Sequence, residues 1–324
     1  MTGLRVHGGR IDLAATLYPD APTPWLDLST GINPVAWRSD PLPSVDLTSL
    51  PSPAAIAALE AAAAAVFGTD AARVVALPGS EIGLRLLASL DLPHPRRVVT
   101  PSYATHAAVF ADTITVPRSA IDTIEDGTLL LANPNNPDGL LDPSERLIAI
   151  ARAGAWLVVD EAFVDLHPAH SVVPHLRASD RVIVFRSFGK TFGLPGVRLG
   201  FMIAPPAQVA AVRERLGSWP VSACAVAYGL AAYRDTRWIA ATRLASTDRA
   251  ARLDAMLARH GLHARGACPL FRLVETDDAT ALFDRLAHAG ILTRTFDHAP
   301  RWLRIGLPRD DTAFERLDRA LAHG

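Results

Sequence analysis

Lys190 is the only lysine in the chain; the other 31 of its 32 lysine-plus-arginine residues are arginine. Arginine keeps its proton near neutrality and cannot form an imine, whereas lysine can lose a proton and attack a carbonyl. Lys190 sits in Arg186-Ser187-Phe188-Gly189-Lys190-Thr191, directly after the apolar run Val182–Arg186. The tail of that segment matches the end of a nucleotide-binding P-loop. The match fails because Val184 stands where that loop needs its first glycine. The neighbours Phe188, Phe192, Leu194 and Pro195 are expected to strip water from the amine, which favours its neutral, nucleophilic form. Arg198 follows in Gly196-Val197-Arg198-Leu199-Gly200, where small residues allow close backbone approach. At this spacing Ser187 and Arg198 suit a phosphate while Lys190 attacks an aldehyde on the same ligand.

Other segments carry groups of matching chemistry. Asp160-Glu161-Ala162-Phe163 ends the apolar run Leu157–Asp160, which places a carboxylate at a strand terminus. Asn133-Pro134-Asn135-Asn136-Pro137-Asp138-Gly139 is a turn sequence that holds three of the four asparagines. Pro78-Gly79-Ser80-Glu81 leads from a strand into a helix, where exposed backbone N–H groups suit a phosphate. Tyr103 follows Pro101-Ser102 at the end of another strand. Arg304 lies within the apolar strand pattern Trp302-Leu303-Arg304-Ile305-Gly306, an unusual place for a merely solvated cation, and its planar fork fits a carboxylate. Arg294 lies in the weaker context Gly290–Arg294.

These segments hang on a regular alternation. Strands are expected at Val74–Leu77, Val98–Thr100, Leu129–Ala132, Leu157–Asp160, Val182–Arg186 and Leu199–Ile203. Helices are expected between them at 80–90, 103–111, 143–152 and 206–216. Continuous apolar strands separated by helices imply an α/β fold, with a mostly parallel sheet covered on both faces and ligands at the strands' carboxyl ends. Residues 1–50 are proline-rich with little periodicity and read as an extended arm. An alanine-rich helix follows over 54–67, and one long helical pattern runs from Ser222 to about His260, with Trp238, Leu244, Leu253 and Leu257 on its apolar side. Beyond it come strands at 270–274 and 303–306 and helices at 279–289 and 312–322, a smaller α+β arrangement. The division expected is an arm over 1–45 that joins a small domain at 231–324, with a large domain over 46–230. The net charge of −1 and pI of about 6.8 offer no face for nucleic acid. No apolar run reaches membrane-spanning length, and MTGLRVHGGRIDL lacks the apolar core of a signal peptide, so a cytoplasmic protein is expected. Cys224 and Cys268 form neither a disulfide framework nor a metal cluster, and no metal is expected.

Ser-x-x-Lys followed by Gly-x-Arg-x-Gly resembles the Schiff-base segment of fold-type I enzymes dependent on pyridoxal 5′-phosphate, the aspartate aminotransferase class. Within that class the chain is most similar to the histidinol-phosphate aminotransferase and threonine-phosphate decarboxylase branches. The resemblance implies that Lys190 binds the cofactor covalently. It further implies that Asp160 pairs with the pyridine nitrogen, Asn136 with the phenolate oxygen, and Tyr103 with the ring face. Gly79, Ser80, Glu81, Ser187 and Arg198 complete the cofactor set, and Glu161 takes a structural part. His7-Gly8-Gly9 and Leu26–Pro34, which contains Gly31 and Asn33, resemble the opening of the decarboxylase branch, as does Phe163. His7, Gly8, Gly31, Asn33, Arg294 and Arg304 are then expected to hold a phosphorylated amino acid. Leu50-Pro51-Ser52-Pro53 departs from the pattern, lacking the tyrosine that many relatives send across a dimer interface. The expectation is decarboxylation of threonine phosphate by a homodimer, in cobalamin biosynthesis; the alternative is aminotransfer on histidinol phosphate.

Overall fold

The computed structural model describes residues 8–322. These form two compact units, one of residues 8–35, 137–140 and 244–322 and a larger one of 36–136 and 141–243. The first unit opens with a short helix, Ile11–Leu17, inside the segment expected to be wholly extended, and strand β1 (Leu26–Asp27) follows. Seven residues suffice for the helix because Ala14 and Tyr18 bury one side of it.

The larger unit is built on one seven-stranded sheet. Its strands are β2 (Val74–Leu77), β3 (Arg96–Thr100), β4 (Ile114–Pro117), β5 (Thr128–Ala132), β6 (Trp156–Asp160), β7 (Val182–Ser187) and β8 (Gly200–Ile203). They lie in the order β2-β8-β7-β6-β5-β3-β4, with β8 antiparallel to both neighbours and the pairings from β7 to β4 all parallel. Both faces are covered. Leu129, Leu131, Leu157, Val159, Val182 and Val184 point into one apolar cluster; Leu130, Val158, Ile183 and Phe185 point into another. That two-sided burial is why the strands read as unbroken apolar runs. β4 has no such run: it is a largely exposed edge strand ending in Pro117, which donates no ladder bond.

Local signals set the helices. Ser52 Oγ accepts from Ala55 N at 3.1 Å, Pro53 takes the first turn, and Gly68 closes the helix Pro53–Phe67 at φ 74°. The long pattern after Ser222 is two helices, Ala223–Arg234 and Thr236–Arg259, not one. Asp235 divides them: its Oδ1 accepts from Trp238 N at 2.9 Å and its Oδ2 from Trp37 Nε1 at 3.1 Å. Leu244 does not lie on the apolar side either, being 71% exposed. The buried seam runs through Ile239, Thr242, Ser246, Ala250, Leu253 and Leu257. Leu244 and Leu253 are nine residues apart, half a turn out of phase at 100° per residue.

The first unit resumes with β9 (Ala264–Arg265), β10 (Phe271–Glu275), β11 (Ile291–Leu292), β12 (Arg294–Thr295) and β13 (Trp302–Gly306). An antiparallel sheet runs β12-β13-β10-β9, while β1 pairs with β11 in parallel. Helices Ala279–His288 and Asp311–Ala322 bury Leu286 and Leu317.

The helix Ser80–Leu86 packs on β2 and β7 through Gly83, where an added Cβ would lie 2.5 Å from Leu77 Cδ1 and 2.6 Å from Phe185 Cε1. Gly83→Ala is therefore expected to destabilise the protein by about 1–3 kcal/mol through overpacking, read as a lowered midpoint in urea unfolding.

Candidate active site

The carboxyl ends of β5, β6 and β7 lie in register, with Ala132 beside Asp160 and Asp160 beside Phe185. Backbone bonds extend the pairing one step, from Asn133 N to Asp160 O (3.0 Å) and from Glu161 N to Phe185 O (2.9 Å). Three chemically loaded loops thus leave one edge of the sheet together. Asp160 is buried; its Oδ2 lies 3.0 Å from His106 Nε2 and its Oδ1 accepts from Ala162 N at 3.1 Å. With both oxygens held, the carboxylate has a fixed direction. His106, fully buried, has no counterpart among the residues singled out from sequence. Tyr103 stands edge-on to His106 with ring centroids 5.7 Å apart. Burial raises the pKa of its phenol, opposed by a hydrogen bond with Thr105 and reinforced by Glu81.

The three neighbouring asparagines divide their work. Asn133 Nδ2 donates to the carbonyls of Asp142 (3.0 Å) and His170 (3.2 Å), and its Oδ1 accepts from Asp142 N. Asn135 Nδ2 donates to Pro101 O at 3.0 Å. Both side chains are buried and pin the loop, while Asn136 is half-buried.

Lys190 occupies the one-turn helix Phe188–Thr191 after β7 and is half-buried. The ring beside its amine is that of Phe163, 5.6 Å from Nζ. Phe188 and Phe192 stack on each other at 4.6 Å within the core instead, so sequence proximity pointed to the wrong rings. Arg198 is held in the left-handed region at φ 54°, and its Nη1 donates to Pro195 O at 3.3 Å. Its guanidinium reaches the start of the helix Ser80–Leu86: a Cβ on Gly79, itself at φ 94°, would lie 2.9 Å from Arg198 Nη2. Gly200 is equally constrained, since a Cβ there would lie 2.4 Å from Ser80 N. Gly200 also pairs with Ser187 across β7 and β8, so Gly79, Ser80, Ser187 and Arg198 are gathered by backbone contacts. The Glu81 side chain is engaged elsewhere, accepting from Arg85 Nε (2.8 Å) and Thr105 Oγ1 (3.0 Å).

Glu161 turns into the core. It forms an ion pair with Arg186 Nε at 2.9 Å and accepts from Ser171 Oγ and Val172 N. Arg186 also pairs with Asp165 and lies over the Phe67 ring at 4.7 Å. Burial pushes the Glu161 pKa up, countered by Arg186.

The smaller unit holds a second constellation. Arg294 and Arg304 are directly opposite on β12 and β13. Arg304 is buried, lies over Phe271 at 4.9 Å, and donates from Nη2 to Ser29 O at 2.7 Å. Burial, and then the like charge of Arg294, push the Arg304 pKa down to about 10. An anion bound there would offset both effects. The same spot receives the N-terminal segment: a Cβ on Gly8 would lie 2.6 Å from Ser29 O, and Gly9 N donates to Ser29 Oγ at 2.8 Å. Gly31 is buried, and so is Asn33, whose Oδ1 accepts from Val35 N at 3.0 Å. His7 lies outside the described residues.

The profile of the aminotransferase class I and II family matches residues 23–321. The chain belongs to this family. It is 42% identical to a threonine-phosphate decarboxylase of Sinorhizobium sp, over 98% of this chain and 97% of that protein. It is 38% identical to a threonine-phosphate decarboxylase of Pseudomonas aeruginosa, over 97% of this chain and 96% of that one. A histidinol-phosphate aminotransferase from Sinorhizobium meliloti, solved with pyridoxal 5′-phosphate, shares the fold with a TM-score of 0.81 at 22% identity, covering 96% of this chain and 92% of that one.

Residues of this class I and II chain fit pyridoxal phosphate. The glycine-lined cradle of Gly79 and Gly200 beside Arg198 has the cation and backbone N–H groups for a phosphate, and Asp160 has an oriented carboxylate for a ring nitrogen. What sequence reasoning missed was His106, together with Asp27 and Ser29 beneath Arg304. A histidine paired with a carboxylate 54 residues away leaves no local signal. Because Asp160 depends on that pairing, His106→Ala is expected to weaken pyridoxal phosphate binding tenfold or more, the effect of about 1–3 kcal/mol for a buried group losing its partner. Equilibrium dialysis of the apoprotein measures it; unchanged affinity would remove His106 from the site.

Proposed function

We propose that this protein decarboxylates L-threonine O-3-phosphate to (R)-1-aminopropan-2-ol O-2-phosphate, with pyridoxal 5′-phosphate as cofactor and Lys190 as its attachment point. The observation that carries the reading is the near-complete coverage at 42% identity with a threonine-phosphate decarboxylase. The cross-strand residues Arg294 and Arg304 of the smaller unit support it, because two adjacent cations suit an anionic substrate. Assignment to cobalamin biosynthesis, to a homodimer and to the cytoplasm belongs to the same proposal. Among the described residues no helix is long and apolar enough to cross a membrane.

When bound, pyridoxal phosphate supplies an electron sink for the bond broken at Cα. The roles proposed for the chain's own groups are positional and protonic. Asp160, held by His106 and Ala162 N, presents a fixed anion to the ring nitrogen and keeps a proton there. Gly79, Ser80, Ser187 and Arg198 bind the cofactor phosphate. Tyr103 and Asn136 orient the ring. Arg304 takes the substrate carboxylate, and Gly8, Gly31 and Asn33, with His7, serve the substrate phosphate; Arg294 stands between the two. After the carboxyl group leaves Cα as CO₂, Lys190 Nζ returns a proton to that carbon. Phe163 offers the lysine an aromatic face and no hydroxyl.

Two variants and one assay test this. Lys190→Arg retains the cation but cannot bond to the cofactor, so the visible band of a lysine-bound cofactor and labelling by borohydride are both expected to vanish. Arg304→Ala is expected to cost about 2–5 kcal/mol of transition-state stabilisation, read from the fall in kcat/KM, while pyridoxal phosphate affinity stays near wild type. The wild-type protein is expected to release CO₂ from threonine phosphate without a keto acid. Glutamate formed from histidinol phosphate and 2-oxoglutarate, with no CO₂ from threonine phosphate, would assign it to the aminotransferases.

A further inference from the structure

Ser29 meets the N-terminal segment on one side and Arg304 on the other, and it is 1% exposed. Its Oγ accepts from Gly9 N at 2.8 Å and donates to Asp27 Oδ1, which also accepts from Ser29 N at 2.9 Å. Its carbonyl oxygen accepts from Arg304 Nη2 at 2.7 Å. Backbone bonds fix the surrounding turn: Leu28 N donates to Leu292 O (2.8 Å), and Gly306 N donates to Leu28 O (2.7 Å). Gly8 lies so close that a Cβ would meet Ser29 O at 2.6 Å and Ser29 Oγ at 3.0 Å, so only glycine lets the segment settle there. The hydroxyl thus joins residues 8–9 to a turn that main-chain bonds, the Asp27 carboxylate and the Arg304 guanidinium hold in place.

We infer that Ser29 is a positioning residue that couples docking of the N-terminal segment to the orientation of Arg304. The guanidinium has one edge directed by the Ser29 carbonyl and its face set by Phe271 at 4.9 Å. The segment lies against the same peptide unit, so anything that lifts it loosens the carbonyl that aims Arg304. Linkage makes the coupling reciprocal: loss of the arginine loosens the segment by the same factor. The inference rests on the substrate assignment only for its effect on turnover. Its structural half stands without a substrate, because Arg304, Ser29 and Gly9 are joined by hydrogen bonds already present.

Limited trypsin digestion of the cofactor-loaded protein reads docking directly, through cleavage after Arg10, which follows Gly8 and Gly9. Ser29→Ala, Gly8→Ala and Arg304→Ala are each expected to speed that cleavage severalfold. Cleavage at wild-type rate in either Ser29→Ala or Arg304→Ala overturns the coupling. In turnover, Ser29→Ala is expected to raise KM for threonine phosphate about tenfold, the effect of one lost hydrogen bond to a buried group, with kcat within threefold. Ser29→Thr, which keeps the hydroxyl, should restore much of the KM; a merely structural serine would lower kcat and the folded fraction together. Should Ser29→Ala fold poorly, Gly8→Ala leaves the serine intact and undocks the segment. The double variant Gly8→Ala/Ser29→Ala is expected to be no worse than the worse single one, because both remove the same contact. Multiplying effects overturn the inference. A wild type that ignores threonine phosphate sinks the proposed reaction, while the trypsin comparison still decides the coupling.

Discussion

The buried pairing of Glu161 and Arg186, with Asp165 also paired to the guanidinium, is the constraint on which the carboxyl end of the large sheet depends. Glu161 follows Asp160, and Arg186 precedes Ser187, so the ion pair ties the ends of β6 and β7 together. Removing a charge from water costs several kcal/mol unless partners replace the lost hydration. Here Ser171 bonds both Glu161 and Arg186, and Phe67 covers the guanidinium. The cluster has little freedom to rearrange, because losing one member would leave the others charged and buried. Asp160 adjoins Glu161 and Ser187 adjoins Arg186, so the pair also restrains the residues beside it.

The smaller unit treats charge in the opposite manner. Arg304 is as deeply buried as Arg186, but its cross-strand neighbour is another cation, and its pKa is pushed down to about 10. Like charges directly opposite on a sheet destabilise it. Asp27 offsets part of that cost, because its carboxylate works to raise the Arg304 pKa again. Ser29 O directs one edge of the Arg304 guanidinium.

Much of this was legible in the sequence. Six of the seven large-sheet strands lie within two residues of where continuous apolar runs place them, because burial on both faces writes itself into every position of a strand. β4, exposed at the edge, carries no such record. Lys190, Asp160, Asn136 and Arg198 stand at strand ends or turns whose residue types restrict the chemistry, and Gly79 marks a backbone conformation that other residues rarely adopt.

The sequence by itself therefore determined which chemical groups are available and on which local elements they sit, since side-chain type and periodicity are properties of a few consecutive residues. Which partners those groups find was decided only by tertiary structure. Asp235 divides two helices because Trp37, 198 residues earlier, returns to bond it. Phe163, not its nearer neighbours Phe188 and Phe192, faces Lys190 because β6 and β7 lie side by side. His106 reaches Asp160, and Ser29 reaches Arg304, only because the fold brings segments far apart in the chain together. A hydrogen bond needs atoms within about 3 Å, and only the folded backbone fixes such a distance between residues 54 or 275 positions apart.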